Sequence, residues 1–260
     1  MDLSRLFEFR ESTDDPKPFL EHIEDLRWLL IKVASAIGVG MFISFAFRGT
    51  LAAIVQQPLA HVAPERAANL QSLGVTDSFT ISLELAFYGG FILAFPVVLY
   101  FLAHFMLPAL TAREKRVVFP AAVVGFGLFL IGVSFCYFIV LPGALEFFFN
   151  DAKAMHWQPT WTVREYYSFT TQMVIAFGLA FELPLVVLVL VKLGILDAAT
   201  LRRSRTFAVV VIFIVAAIIT PTSDLLTLLL MGGPMVLLYE LCILIARVME
   251  HRANRANRLH

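Results

Sequence analysis

Charge is scarce in this chain. Only 15% of its 260 residues are Asp, Glu, Lys or Arg, where soluble domains carry about a quarter. The twenty basic and twenty acidic residues cancel, which argues against a nucleic-acid binder and against an acidic, solvated tail protein. Cysteine is nearly absent as well. Cys136 and Cys242 both sit inside apolar runs, so neither a disulfide nor thiol chemistry is expected. There is no GxSxG elbow, no HExxH, no paired Cys ligands and no Gly-rich phosphate loop. The six histidines, His22, His61, His104, His156, His251 and His260, form no i, i+4 pair. No catalytic residue, metal site or cofactor is therefore expected. Internal repeats and low-complexity tracts are missing too. Residues 1–18 carry charges and two prolines rather than a basic stretch followed by an apolar one, which does not indicate a cleavable signal peptide.

What the chain has in abundance is apolar surface: 59% of residues are hydrophobic and 25 are Phe. This composition indicates an integral membrane protein. A spanning helix needs about 20 mostly apolar residues at roughly 1.5 Å each. Five long runs meet that need, at 28–47, 85–107, 117–141, 169–193 and 225–246. Each should be helical, because a bilayer forces backbone polar groups to bond within the segment. A sixth run, 207–219, has thirteen residues. That is about 20 Å of helix against a hydrocarbon core of about 30 Å, so length alone favours a re-entrant or buried helix.

The distribution of Lys and Arg decides otherwise, since these residues accumulate in cytoplasmic loops. Six spans with both termini inside put sixteen basic residues in the cytoplasm and four, Arg48, Arg66, Lys153 and Arg164, outside. If 207–219 failed to cross, the tail arginines would move outside. The fold is thus predicted as all-α, a single polytopic membrane domain with six transmembrane helices. The fifth and sixth are expected to be short, the sixth interrupted at Gly232, Gly233 and Pro234. Residues 1–27, including an interfacial helix, and the tail 247–260 should be cytoplasmic. The loops 48–84 and 142–168 should form structured outer caps with an interfacial aromatic belt.

Several polar residues stand out against this background. Phe19, Ile23, Leu26 and Leu30 make one apolar helical face leading into the first span, while His22 and Asp25 share another. Taken alone, this is a solvated juxtamembrane helix with a Glu24–Arg27 pair. Glu114 lies in the first inner loop among Arg113, Lys115 and Arg116, after Phe105 and Pro108. Together, Asp25 and Glu114 offer two carboxylates on one membrane face, suited to bidentate pairing with guanidinium groups. Glu182 lies mid-span, where an ionised carboxylate costs several kcal/mol unless hydrated, paired or protonated. Pro184 frees the carbonyl of Ala180 and can kink the helix there. Glu240 raises the same question in the last run, and Asp224 is placed to cap the last helix.

With these residues in hand, the chain resembles the TatC family, the multispanning subunits of the twin-arginine protein translocase. The resemblance is carried by FLEHIEDLR at the entry, QQPL in the first outer loop and FMLPALTAREKR in the first inner loop. It continues through YFIVLP ending span three, AFGLAFELP in span four and ITPTSD before span six. It implies a bacterial cytoplasmic (inner) membrane protein that recognises twin-arginine signal peptides of folded cargo at its cytoplasmic face. It also implies single-span partners of the TatA/TatB type, self-association in a larger complex and use of the proton-motive force. The family's signal-binding carboxylates map onto Asp25 and Glu114, with Phe105, Arg116, His22 and Arg27 around them. The intramembrane acid maps onto Glu182 and the outer-loop proline onto Pro58. Thr220 falls in a polar patch resembling the partner-helix docking site. Two positions depart from the family pattern. Asp25 stands where Glu is common, with Glu24 beside it able to share the contact. Leu228 stands where a Gln is frequent, so docking would rest on Thr220, Thr227 and shape.

A different class of function remains open on the residues alone: a proton-coupled small-solute transporter using Glu182 as its proton site and the Pro/Gly breaks as hinges. An intramembrane enzyme lacks its motif.

Overall fold

The computed structural model describes residues 19–106, 112–157, 160–192, 196–219 and 224–257. Regular structure among them is helical, and a single bridge between Gln71 and Thr162 is the nearest thing to a strand. Five helical stretches are long and apolar enough to cross a membrane: Ile23–Ala46, Asp77–Phe105, Pro120–Ala154, Val163–Val191 and Leu225–His251. Arg205–Ile218 is shorter.

Helix α1 (Phe19–Ala46) runs unbroken for 28 residues. Within it no Gly or Pro occurs before Gly38, so residues 19–27 and the apolar run after them form one continuous helix. Two short helices follow, α2 (Arg48–Val62) and α3 (Pro64–Ala68). They cap one end of the molecule. Helix α4 (Asp77–Met106) begins eight residues before the apolar run that announces it, and its Asp77 carboxylate accepts from the Gly74 N–H at 2.6 Å.

The third rod joins α5 (Ala112–Phe135), a π turn (Cys136–Val140) and α6 (Leu141–Ala154). Pro142 explains the π turn. It has no N–H to bond the carbonyl four residues back, and its ring crowds that carbonyl. The helix widens just before it, with the Leu141 N–H bonded to Cys136 O. Next come α7 (Val163–Ala180) and α8 (Leu183–Lys192), separated at Phe181 and Glu182. Thr162 caps helix α7: the Glu165 N–H donates to Thr162 Oγ1 at 3.1 Å, and the Thr162 hydroxyl donates to Glu165 Oε2 at 2.9 Å. The chain ends in α9 (Ala198–Arg203), α10 (Arg205–Ile219) and α11 (Leu225–Asn257).

The last helix corrects the sequence reading. It is 33 residues long and continuous through Gly232, Gly233 and Pro234, neither short nor interrupted. Without water to satisfy freed backbone groups, breaking a helix in an apolar setting costs more than carrying Gly or Pro. Gly232 is there for packing: a Cβ on it would meet Phe213 Cε1 of α10 at 2.5 Å.

Long helices consecutive along the chain are antiparallel. Helix α1 packs chiefly on α4, and the two backbones touch where a Cβ on Gly40 would lie 2.4 Å from Gly90 O. Small residues permit this approach. Two apolar cores result. One gathers the π turn and helices α7, α8, α10 and α11 around Phe177, Met173 and Met231. The other, at the capped end, gathers α2, α3, the start of α4, Leu145, Tyr166 and Tyr167. Outside these cores the surface is apolar, with Phe42 82% and Ile218 77% exposed. Such a surface suits lipid rather than water.

Candidate functional site

The antiparallel pairing fixes which predicted residues meet. Near the end opposite the cap, the Lys32 ammonium lies 5.9 Å from the centre of the Phe101 ring. Asp25 is two turns beyond Lys32 toward the start of α1, and Phe105 is one turn beyond Phe101 toward the end of α4. Both are half-buried and share that end of the pair; Glu24 and Arg27 are exposed beside them. Helix α5, whose first turns contain Glu114 and Arg116, starts six residues after α4 ends. Of His22, Glu114 and Arg116 only the backbone belongs to the described residues, and Thr220 lies outside them.

Glu182 sits at the break in the fourth rod. Pro184 cannot donate to Ala180 O, and the ladder shifts: the Glu182 N–H bonds Leu179 O at 3.1 Å, and helical bonding resumes with the Val186 N–H on Glu182 O at 3.0 Å. The side chain turns toward α5. Its Oε1 is buried with no hydrogen-bond partner among the described residues. A carboxyl oxygen held this way in an apolar bundle is costly to retain, the usual mark of a functional group.

Glu240 has a different environment. Its carboxylate pairs with the Arg205 guanidinium across α10 and α11. Beside it, the Tyr239 hydroxyl donates to Leu201 O at 2.8 Å, and further along α11 Glu250 Oε1 accepts from the Ala198 N–H at 2.6 Å. These bonds tie α9 and the start of α10 to α11. Asp197 caps α9 by accepting from the Thr200 N–H at 2.8 Å. Bonds from the Thr200 side chain and backbone hold its carboxyl below the usual carboxylate range.

At the capped end Asp224 caps α11, as its position suggested. Its carboxylate accepts from the Thr227 N–H and hydroxyl, each at 2.7 Å. Thr227 is fully buried, so its hydroxyl is spent inside the chain.

Pro58 is buried inside α2, and what it does there is visible in its neighbours. A proline at 58 leaves the carbonyl of Ile54 without its helical donor. The Tyr137 hydroxyl supplies one, at 2.6 Å from Ile54 O. Tyr166 donates to Val55 O at 2.7 Å and Tyr167 to Ala52 O at 3.2 Å. Three phenols from the third and fourth rods thus clamp one edge of α2.

Sequence reasoning missed Glu84. The sequence reading places it within the loop 48–84, because the apolar run begins one residue later. The helix starts at Asp77, which places Glu84 two turns inside it. Ser168 donates to Glu84 Oε2 at 2.8 Å and Thr171 to Oε1 at 3.4 Å, bonding α4 to α7. The turn-forming Gly74-Val75-Thr76-Asp77 was the available signal for the earlier helix start.

Comparison with known proteins gives this geometry its context. The family model described as Sec-independent protein translocase protein (TatC) matches residues 21–234. The chain belongs to the TatC family. A Sec-independent protein translocase protein TatC from Akkermansia muciniphila is 44% identical over 176 residues, covering 68% of this chain and 51% of that protein; the chain therefore spans about half the length of that relative. The TatC protein of Desulforapulum autotrophicum is 35% identical, covering 90% of this chain and 86% of its own. A crystal structure of the twin arginine translocase receptor TatC superposes with a TM-score of 0.79 at 36% identity, covering 87% of this chain and 98% of that one. The chain is thus a multi-pass membrane component of a protein translocase, not a member of a known enzyme family.

Proposed function

We propose that this TatC protein is the receptor subunit of a twin-arginine translocase, with its signal-binding surface at the end of the α1–α4 pair opposite the cap. The observation that carries the reading is the antiparallel pairing that puts Asp25 and Phe105 at one end, next to the start of α5. Asp25 and Glu114 would each take a guanidinium of the arginine pair by bidentate, charge-assisted bonds, which lysine cannot reproduce. Glu24 extends the acidic surface; His22, Arg27, Phe105 and Arg116 line its surroundings.

In this reading that end faces the cytoplasm, six helices span the inner membrane with both termini inside, and 15-residue α10 is the fifth span. A helix of that length, about 22 Å, thins the bilayer or shelters its ends against neighbours. TatA/TatB-type helices dock beside α10 and α11, near Thr220. Glu182 is the intramembrane acid that transport driven by the proton-motive force requires. Several copies of the chain work together in one complex.

Site-specific photocrosslinking from positions next to Asp25 and Glu114 to a twin-arginine signal peptide, in native membranes with the partners present, tests the receptor reading. The expected crosslink disappears when the arginines become lysines and again in Asp25→Ala or Glu114→Ala protein. No crosslink with an intact proton-motive force would overturn the assigned surface.

A further inference from the structure

Glycines along α5 meet the fourth rod in two different ways. A Cβ on Gly132 would strike the Phe177 carbonyl oxygen at 2.6 Å, a backbone contact, so this glycine serves the crossing of α5 and α7. Gly125 is different. A Cβ there would lie 3.0 Å from Glu182 Oε2, 2.8 Å from Leu185 Cδ2 and 3.4 Å from Leu99 Cδ1. All three atoms are side-chain ends, so the helices need not part to admit a methyl group. What must move is the Leu185 methyl, the nearest atom, and with it the Glu182 carboxyl, whose other oxygen is buried without a hydrogen-bond partner among the described residues.

We propose that Gly125 is a positioning residue for Glu182: the side chain it lacks leaves a seat on α5 that fixes where the carboxyl sits in the bundle. The proposal rests on the reading of Glu182 as the acid that transport requires. The seat has a defined depth, and so it matches an acid of one length. With alanine at 125 the glutamate carboxyl must give way by a few tenths of an ångström, while aspartate, one methylene shorter, stops short of the added methyl. With glycine at 125, aspartate falls short of the seat. Gly127 offers a control on the same helix, because nothing lies within 4 Å of a Cβ built there.

The test measures export of a folded twin-arginine reporter in cells carrying the full-length chain with its partners. The variants are Gly125→Ala, Gly127→Ala, Glu182→Asp, Glu182→Gln and the double variant Gly125→Ala/Glu182→Asp. Two readouts accompany export: the signal-peptide crosslink at the α1–α4 end, and labelling of Glu182 in membranes by dicyclohexylcarbodiimide, an apolar carboxyl reagent. Gly125→Ala should lower export about tenfold or more, as misplacing a functional group does, and raise Glu182 labelling several-fold with the crosslink intact. Gly127→Ala should stay within about twofold of the parent on every readout. Glu182→Asp should be impaired alone, and the double variant should export better than either single variant.

Parental export and labelling in Gly125→Ala, with Glu182→Gln inactive, would overturn the positioning role and leave the reading of Glu182 standing. Loss of the crosslink together with export in Gly125→Ala, without rescue by aspartate, would make Gly125 a packing residue and overturn the proposal. Parental export in Glu182→Gln would remove the reading of Glu182 and the proposal with it.

Discussion

The Tyr137–Ile54 bond makes a prediction that can be worked through. In α2 the carbonyl of Ile54 lost its helical donor to Pro58, and the Tyr137 phenol replaces it at 2.6 Å. Tyr137→Phe removes the hydroxyl and leaves the carbonyl short of a donor. An orphaned acceptor costs about 1–3 kcal/mol in soluble proteins, while side-chain bonds inside membrane proteins average about 0.6 and reach about 1.7. Tyr137 is half-buried, so a loss of about 1 kcal/mol is expected. Restoring the N–H by Pro58→Ala changes the account. The backbone then bonds Ile54 O by itself, and removing the phenol orphans nothing. In the Pro58→Ala background, Tyr137→Phe should cost only a few tenths of a kcal/mol, a coupling of about 0.5–1 kcal/mol between residues 79 positions apart. The assay is equilibrium unfolding of the parent, both single variants and the double variant in mixed detergent micelles. An equal cost for Tyr137→Phe in both backgrounds would refute the idea that the tyrosine answers the proline.

Other contacts yield shorter predictions. Gly90→Ala puts a Cβ 2.3 Å from Met41 N; it should separate α1 from α4 and lower stability by about 1–3 kcal/mol. Gly38→Ala, with nothing within 4 Å, should stay within about 0.5 kcal/mol, and thermal unfolding in detergent distinguishes the two. Asp224→Ala removes the cap of α11 and should cost about 1 kcal/mol. Hydrogen exchange should then show the first amides of α11 losing protection; unchanged protection would deny the cap. The Arg205–Glu240 pair is partly exposed, at 57% and 32% for the two side chains. Arg205→Gln and Glu240→Gln should each cost about 1 kcal/mol or less, with the double variant no worse than either single one. Additive costs would show that the two side chains act separately.

The helices were legible because apolar runs in a bilayer leave the backbone one main choice. Their ends and breaks were harder to read. Charge marks where a chain can leave the membrane, not where a helix begins. Glu84 therefore reads as a boundary, although Ser168 and Thr171 hold it two turns inside α4. Glycine and proline misled in the opposite direction at 232–234, where sequence rules drawn from water-exposed helices predict a break and packing against Phe213 removes it. Glu182 was legible as a lone acid in an apolar span, but its seat on Gly125 was not. Residues 57 apart give no local signal of contact, and the glycine looks like any other in a membrane helix. The clamp on Pro58 was hidden for the same reason: its tyrosines lie on two other rods.

The isolation of α1 bears on how the molecule is built. This helix has a single main neighbour, α4, and joins neither of the two buried clusters. During synthesis it leaves the ribosome before α4 and waits in the bilayer while that span is still being made. It can afford the wait, because the residues after Arg27 are almost entirely apolar, with Lys32 the one charge among them, and lipid satisfies such a surface until Gly90 arrives opposite Gly40. The acid-bearing fourth rod has no such independence and reaches the membrane only after α4 and α5 are in place to receive it. The order of spans along the chain is thus also an assembly order, in which the self-sufficient helix enters before its partner and the helix carrying Glu182 enters a site already half built.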